Sequence, residues 1–202
     1  MSHYLYLVRH GEPENAEFGI RDGALSERGR AQAHAIGRRL SRVPIGRTFT
    51  SPLQPAVETS GIMSQYVSGD PVETSTLLFE CVPTGFEPDT PEQYERYFSG
   101  IGPEEVEAGQ AQMEDALMAF FTREREDRHT LLVTHDFVIA WFVREALDAP
   151  RWRWLGLQHP HCALTVVRVR TTKPAALLVC NDTGHLPEAL RTGVGWHIPG
   201  GS

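Results

Sequence analysis

Two histidines follow apolar runs that have the composition of buried strands. The first run covers residues 4–8 and leads into Arg9 and His10, and the second covers residues 130–134 and leads into His135. In an open α/β sheet, ligands bind just beyond the carboxyl ends of the strands. Arginine offers a forked donor for phosphate or carboxylate, and an imidazole can act as a nucleophile or carry a proton. The two strand ends therefore predict an anion site that contains both histidines.

The composition is that of an ordinary globular domain. The chain of 202 residues predicts one domain over 1–202, with a loose tail from about residue 190. Its 19 basic and 26 acidic residues give a net charge of −7, which argues against a broad nucleic-acid surface. No apolar run reaches membrane-spanning length, and no signal peptide is visible before the first strand.

The cysteines and a histidine cluster raise the question of metal binding. Cys81, Cys162 and Cys180 are odd in number and widely spaced, which predicts free thiols and a cytoplasmic, reducing location. His159 and His161, with His185 further on, could suggest zinc, but their spacing is poor for a closed structural site. Glycine-rich nucleotide fingerprints are absent. We therefore expect neither a metal nor a cofactor.

Strand and helix signals alternate along the chain. Ser26 is a good cap for a helix that Pro44 ends, and Ser51 with Pro52 opens a helix that runs to about Val67. The other elements that we predict are a short strand at 47–50, a strand at 72–74, helices at 91–98, 103–126 and 137–147, and strands at 163–170 and 175–180. This alternation predicts a three-layer α/β fold, a mostly parallel sheet with helices on both faces, whose last strand pair adds an antiparallel edge.

The residues around the first strand end resemble a known family signature. Residues 7–12, LVRHGE, are similar to the signature of the histidine phosphatase superfamily, which has the phosphoglycerate mutase-like fold. Four further stretches between residues 22 and 186 resemble that family too, so the resemblance spans nearly the whole chain. It implies a phosphohistidine enzyme in which His10 is the nucleophile, while Arg9 and His135 stabilise the transferring phosphoryl group.

The resemblance also implies a carboxyl group that acts as general acid and then as general base. Glu80 is our prediction, because it follows Leu-Leu-Phe in the loop where the family's acid resides and precedes Gly85 as family sequences do. Such a carboxyl group keeps its proton when it lies near other anions or is partly buried. Glu87, Glu12 and Glu14 are the alternatives.

Two positions in the phosphate-binding pattern depart from the family. Relatives read Ser-Pro-Leu-x-Arg-Ala where residues 51–56 read SPLQPA, so Pro55 replaces an Arg that grips phosphate. Arg21 could fill the gap, or Gln54 could offer its amide to a less charged substrate, or the protein could be a weak catalyst. The family's Asn after the nucleophile is displaced as well, because Asn15 stands one residue before its position.

Asp136 is a third departure, because relatives more often have Gly after the second histidine. Its backbone N–H, at the start of a helix, is a natural phosphate donor. Its carboxylate, if it points inward, would repel phosphate or orient an imidazole. Asp136 is therefore a predicted substrate-binding residue through its backbone.

Taken together, the resemblance implies hydrolysis of a small phosphorylated metabolite by way of a phosphohistidine. We prefer a phosphatase to a phosphoglycerate mutase-type phosphotransferase, because mutases of the family carry a longer insertion between the positions of Glu80 and His135. The alternative from another class is a binding module for phosphate ligands, which Pro55 and Asp136 motivate. We expect no nucleic-acid or membrane partner, and a homodimer is a possible assembly.

Overall fold

A computed structural model describes residues 1–14 and 23–194. Within these residues, the strands are β1 (Ser2–Arg9), β2 (Arg47–Thr50), β3 (Glu73–Thr74), β4 (Arg128–Thr134), β5 (Leu164–Arg170) and β6 (Ala176–Asp182). The helices are α1 (Glu27–Leu40), α2 (Gln54–Met63), α3 (Glu95–Phe98), α4 (Pro103–Phe120) and α5 (Asp136–Ala146). Short 3₁₀ turns cover Thr76–Leu78, Glu92–Tyr94, Arg151–Trp154 and Glu188–Leu190.

The six strands form one mixed sheet in the order β3-β2-β4-β1-β5-β6. The first four run parallel, whereas β5 pairs antiparallel with β1 and β6 antiparallel with β5. The register sets Arg9 beside Thr134 and Thr50 beside Val133. Three carboxyl strand ends therefore meet at one edge of the sheet. This confirms the predicted fold, including its antiparallel edge.

Helices cover both faces of the sheet, and the central strands divide their side chains between two cores. Val8 packs with α1 and α2 in one core, whereas its neighbour Leu7 packs with α4 and α5 in the other. Successive strand residues point to opposite faces of the sheet, so a strand between two helix layers must be apolar on both of its faces. Residues 4–8 are a continuous apolar run for this reason. Polar residues follow only at the strand end, beyond the part that lies between the two helix layers.

The bounds of two helices, α4 and α2, differ from the sequence prediction. α4 ends at Phe120, because Phe121 leaves helical geometry, so the prediction that this helix continues to residue 126 is wrong for residues 121–126. Those residues lead directly into β4, and Arg128 pairs with Glu124 at 3.0 Å. α2 ends at Met63 rather than near Val67, and it begins three residues after Ser51.

The segment after β6 contacts the body of the domain. Leu190 and Thr192, at the start of the predicted loose tail, accept hydrogen bonds from Nε2 of Gln32, at 2.7 and 2.8 Å. Residues 195–202 lie outside the described part of the chain. Across the described residues, no helix combines the length and apolar character needed to cross a membrane.

Candidate active site

His10 is buried at the carboxyl end of β1. Its backbone N–H donates to the carbonyl of Thr134 at 2.9 Å, which ties the ends of β1 and β4 together. Its Nδ1 lies 2.8 Å from the carbonyl oxygen of Gly11. A carbonyl only accepts, so the proton of a neutral ring sits on Nδ1 and Nε2 presents a lone pair. Burial and then the charge of Arg9 lower the pKa of His10 to about 4, which leaves a neutral, nucleophilic imidazole at pH 7.

Close backbone packing holds the turn after His10 in place. A Cβ at Gly11 would lie 2.7 Å from the carbonyl oxygen of Gly29, in the first turn of α1. The Gly11 N–H donates to Oγ1 of Thr59 in α2 at 2.9 Å. Ser26, as predicted, caps α1 by accepting from the Gly29 N–H at 3.0 Å. The first turn of α1 and the middle of α2 therefore contact the backbone that follows His10, and only glycine fits at position 11.

His135 follows β4 and stands beside His10. The two ring centroids are 5.0 Å apart, with an angle of 60° between the ring planes. Nε2 of His135 lies 2.7 Å from Oγ of Ser51, which follows the neighbouring strand β2. Burial, with added repulsion from His10 and Arg9, lowers the pKa of His135 well below its usual value, so this ring is neutral too.

Ser51 thus has a different role from the one that the sequence predicts. It is not the N-cap of α2, because Leu53 holds that position, although Ser51 Oγ accepts from the Leu53 N–H at 3.3 Å. Pro52 accordingly precedes α2 rather than opening it. The side chain of Ser51 is buried against His135. The available signal was its place after β2, since the ends of adjacent parallel strands lie side by side.

Arg9 and Asp136 are joined through His159. Nη1 of Arg9 donates to the carbonyl oxygen of His159 at 2.6 Å and lies 4.0 Å from Oδ2 of Asp136. Oδ1 of Asp136 accepts from the backbone N–H and the Nδ1 of His159. Asp136 is also the first residue of α5, so its backbone N–H belongs to the unsatisfied donors at the helix start. Of the two effects considered for an inward-pointing carboxylate, the structure has the contact that orients an imidazole, that of His159.

Glu80 lies at the start of α5, next to His135 in space. Its Oε1 accepts from the backbone N–H of Phe137 at 2.9 Å, and the side chain is half-buried. A cleft of about 390 Å³ opens beside it, lined in part by Tyr97 and Phe137. Glu80 and Phe137 line this cleft, whereas His10 and His135 do not.

The alternative acids are engaged elsewhere. Glu12 binds Ser26 and Arg28, at 2.9 and 3.3 Å. Glu14 is exposed and pairs with Arg30 at 3.6 Å. Glu87 accepts from Nε of Arg151 at 3.1 Å. These three are tied to arginines of the protein surface, whereas Glu80 is hydrogen-bonded to the helix that His135 caps.

Pro55 is the second residue of α2, close to the turn that follows His10. It is buried, and its carbonyl accepts from Oγ1 of Thr59, the hydroxyl that receives the Gly11 N–H. Gln54 is exposed and gives its amide N–H to Glu58 at 2.8 Å. That bond does not support the proposal that Gln54 turns its amide towards phosphate. Arg21 and Asn15, the other two predicted binding residues, lie outside the described residues.

A third imidazole lies near His10, at a residue whose only predicted role was that of a poorly spaced zinc ligand. The ring centroid of His161 is 5.6 Å from that of His10, and the side chain is 5% exposed. His159 faces Asp136 instead, and Nε2 of His185 donates to the carbonyl of Cys162 at 3.0 Å. Among residues 1–14 and 23–194, no three His, Cys, Asp or Glu side chains are grouped to hold a metal ion. Cys81, Cys162 and Cys180 are free thiols.

Curated proteins similar to this chain are phosphatases. It is 29% identical over 191 residues to the serine/threonine-protein phosphatase Pgam5, mitochondrial, of Caenorhabditis briggsae, an alignment that covers 92% of this chain and 65% of that protein. It is 29% identical to the mouse protein PGAM5, of the same description, with 91% and 64% covered. The chain thus spans just under two thirds of the length of these relatives.

Solved structures share the fold at lower identity. Bacillus stearothermophilus YhfR is 24% identical, with a TM-score of 0.70 and coverage of 91% of this chain and 98% of that one. Phosphoserine phosphatase from Entamoeba histolytica is 21% identical, with a TM-score of 0.68 and coverage of 92% and 100%. The family model for the histidine phosphatase superfamily, branch 1, matches residues 5–182. This match includes the ends of β1, β2 and β4, and the chain belongs to the histidine phosphatase superfamily.

Proposed function

We propose that this protein hydrolyses a phosphomonoester through a phosphohistidine at Nε2 of His10. The observation that carries the proposal is the 2.8 Å contact between Nδ1 of His10 and the Gly11 carbonyl, since it leaves Nε2 as the nucleophilic atom. Arg9 and the N-terminus of α5 supply positive potential for the phosphoryl oxygens. This suits phosphoryl transfer, in which catalysis is mainly positioning and charge stabilisation.

The proposed reaction has two steps, formation of the phosphohistidine and its hydrolysis. The lone pair of His10 Nε2 forms a bond to phosphorus, the phosphorus–oxygen bond to the leaving group breaks, and protonated Glu80 gives its proton to that oxygen. Water then loses a proton to the Glu80 carboxylate and attacks phosphorus, and the phosphorus–nitrogen bond breaks. Inorganic phosphate leaves, and His10 returns to its neutral form.

The proposed substrate is a small phosphorylated metabolite. His10 is only 4% exposed, and the cleft beside Glu80 measures about 390 Å³. A buried nucleophile, with a cleft of this size beside the proposed acid, suits a small phosphomonoester better than a folded protein surface. The relatives named serine/threonine-protein phosphatase make a phosphopeptide the comparison to include, beside sugar phosphates, phosphoserine and phosphoglycerate.

The test is to trap the intermediate. The protein is mixed with a ³²P-labelled phosphomonoester, quenched in alkali, in which phosphohistidine survives, and mapped by peptide. We expect label on His10, its loss in His10→Asn, and its retention in His34→Asn, a change at a histidine of α1 that bonds Tyr66 instead. Label on a cysteine, aspartate or serine would show that the mechanism is wrong.

Pro55 favours a second candidate, a phosphate-ligand binding module. A buried proline stands where relatives have a phosphate-binding Arg, so one charged donor is absent from α2. A module of this kind would be stabilised against heat by phospho-ligands without turning them over. Measuring p-nitrophenyl phosphate turnover and thermal shift in the same buffers separates the two functions.

A further inference from the structure

His161 approaches the nucleophile from the antiparallel side of the sheet. It lies just before β5, and the next residue, Cys162, donates its backbone N–H to the carbonyl of Arg9 at 3.0 Å. With His135 on one side and His161 on the other, His10 has a buried imidazole neighbour at 5.0 Å and another at 5.6 Å between ring centroids. Family sequences often place Asn near this position, where this chain has an imidazole.

A chain of hydrogen bonds behind His161 determines which of its nitrogens carries the proton. The chain begins at the backbone N–H of Glu12, which donates to Oε1 of Gln32 at 2.8 Å and so fixes the orientation of that amide. The amide nitrogen therefore faces two oxygens, the Leu190 carbonyl at 2.7 Å and Thr192 Oγ1 at 2.8 Å. Both N–H groups of Gln32 are used, and Thr192 Oγ1 is an acceptor in this contact.

The hydroxyl hydrogen of Thr192 then remains for the imidazole. Oγ1 of Thr192 lies 3.0 Å from Nδ1 of His161. Because the Gln32 contact leaves the hydroxyl hydrogen unused, we assign Thr192 as the donor and Nδ1 as the acceptor. A Cβ at Gly193 would lie 2.8 Å from the same Nδ1, and Gly193 has a φ of +99°, so backbone closes this edge of the ring. Burial and the charge of Arg9 lower the pKa of His161 far below its usual value, so the ring is neutral. Its one proton is on Nε2, the nitrogen across the ring from the closed edge.

We propose that His161 is a phosphate-binding residue whose Nε2–H donates a hydrogen bond to an oxygen of the phosphoryl group held against His10. His161 supplies a neutral donor in a site where Pro55 stands in place of the family's charged arginine. The proposal rests on the proposed function for the identity of the substrate. A neutral donor is weaker than an arginine fork, so His161 replaces part of the missing contact. Thr192 is a positioning residue, because it acts only through the tautomer of His161.

The experiment measures inorganic phosphate binding by calorimetry and the kinetics of p-nitrophenyl phosphate. We expect His161→Ala to weaken phosphate binding and to lower kcat/KM by about tenfold each, the effect of one hydrogen bond. His161→Asn, whose amide can also donate, should keep most of both. His34→Asn is the matched control and should change neither. Equal phosphate affinity in His161→Ala and the unmodified protein, or no phosphate binding by the unmodified protein, would overturn the proposal.

The hydrogen bond from Thr192 to His161 gives a second and independent test, because it sets the tautomer of the His161 ring. Thr192→Val removes the hydroxyl donor at nearly constant volume, whereas Thr192→Ser keeps it. In ¹⁵N spectra of the imidazole, we expect the Nε2–H tautomer of His161 in the unmodified protein and in Thr192→Ser, and a mixture of tautomers in Thr192→Val, with weaker phosphate binding. A proton on Nδ1 in the unmodified protein would refute the proposal even if His161→Ala does not fold. Phosphate binding without label on His10 would instead leave His161 in place and remove the proposed hydrolysis.

Discussion

Asp136 Oδ1 accepts two hydrogen bonds from His159, one from its backbone N–H and one from its Nδ1, both at 2.8 Å. The carbonyl of the same His159 accepts from Arg9 at 2.6 Å. The carboxylate therefore fixes the segment that orients the guanidinium, and Asp136 reaches the phosphate site only through its neighbours and its backbone. A glycine at this position, as in relatives, would leave Arg9 to be oriented in another way.

We expect Asp136→Asn to destabilise the protein by about 1–3 kcal/mol, because a neutral amide oxygen loses the charge-assisted character of both bonds. Urea unfolding measures the free energy change. Asp148→Asn is the control, since Asp148 has a φ of +51°, which Asn tolerates, and it lies beyond α5. Equal stability of the two variants would show that the His159 contacts contribute little.

Glu80→Gln should separate the role of Glu80 as a proton donor from its hydrogen bond with the Phe137 N–H. The amide oxygen of Gln can still accept the Phe137 N–H, so the variant keeps the 2.9 Å bond and loses only the acid. Esters with poor leaving groups should slow by roughly 10²-fold or more, whereas p-nitrophenyl phosphate, whose leaving group barely needs a proton, should slow much less. Glu87→Gln, which disturbs only the contact to Arg151, should leave both rates unchanged. Equal losses on the two substrates would assign the acid to another residue.

Pro55→Arg should restore a charged donor in the first turn of α2. We expect about tenfold tighter binding of inorganic phosphate, or faster turnover of simple phosphomonoesters, because a hydrogen bond to a charged group is worth more than a neutral one. Gln54→Arg, at the exposed neighbouring position, is the control and should have a smaller effect.

The same variant tests whether Arg21 compensates for Pro55. Arg21→Ala should weaken phosphate binding in the unmodified protein and less so in Pro55→Arg, so a double-mutant cycle should show coupling. If Arg21→Ala is harmless in both backgrounds, Arg21 is not the substitute, and the binding-module function gains support.

Acid should destabilise the protein through its buried histidines. The pKa of His10 is about 4 in the fold against about 6.5 when exposed, so the unfolded chain takes up its proton first as the pH falls. Stability is therefore greatest above pH 6.5 and declines down to about pH 4, by on the order of 3 kcal/mol for His10 alone. Urea unfolding at several pH values measures the decline. It should be shallower in His10→Asn than in His34→Asn, and identical slopes would contradict a lowered pKa.

The residues next to apolar runs were predictable from the sequence. Val8 and its neighbours need no context to indicate a buried strand, and His10 and His135 are marked by the change from apolar to polar at the strand ends. Glu80 could be selected only through the family resemblance, because nothing local separates it from Glu87. The start of α2 was misjudged since Ser51 has the ordinary features of a cap, while its actual partner, His135, is distant in the sequence.

The contacts that complete the site depend on pairs that are far apart in the chain. Gln32 contacts Thr192 across a sequence separation of 160 residues, and Arg9 contacts His159 across 150. Neither pair lies in a periodic or motif-like stretch, so no local pattern announces it. His161 drew attention as a candidate metal ligand, and only the direction of β5 shows that it faces another imidazole.

The antiparallel pairing of β5 with β1 decides which loops of this protein tolerate change. Ser2 lies opposite Arg170, and Val8 opposite Leu164, so the strand β5 begins at the sheet edge that holds His10 and ends at the opposite edge. The turn between β5 and β6, around residues 171–174, is thus about a strand length away from His10. A peptide tag or a fluorescent domain inserted in that turn should leave catalysis intact, whereas one extra residue between His159 and Cys162 would shift an imidazole out of line. For protein engineering, the turn between β5 and β6 therefore tolerates insertions, whereas the segment that precedes β5 must keep its length.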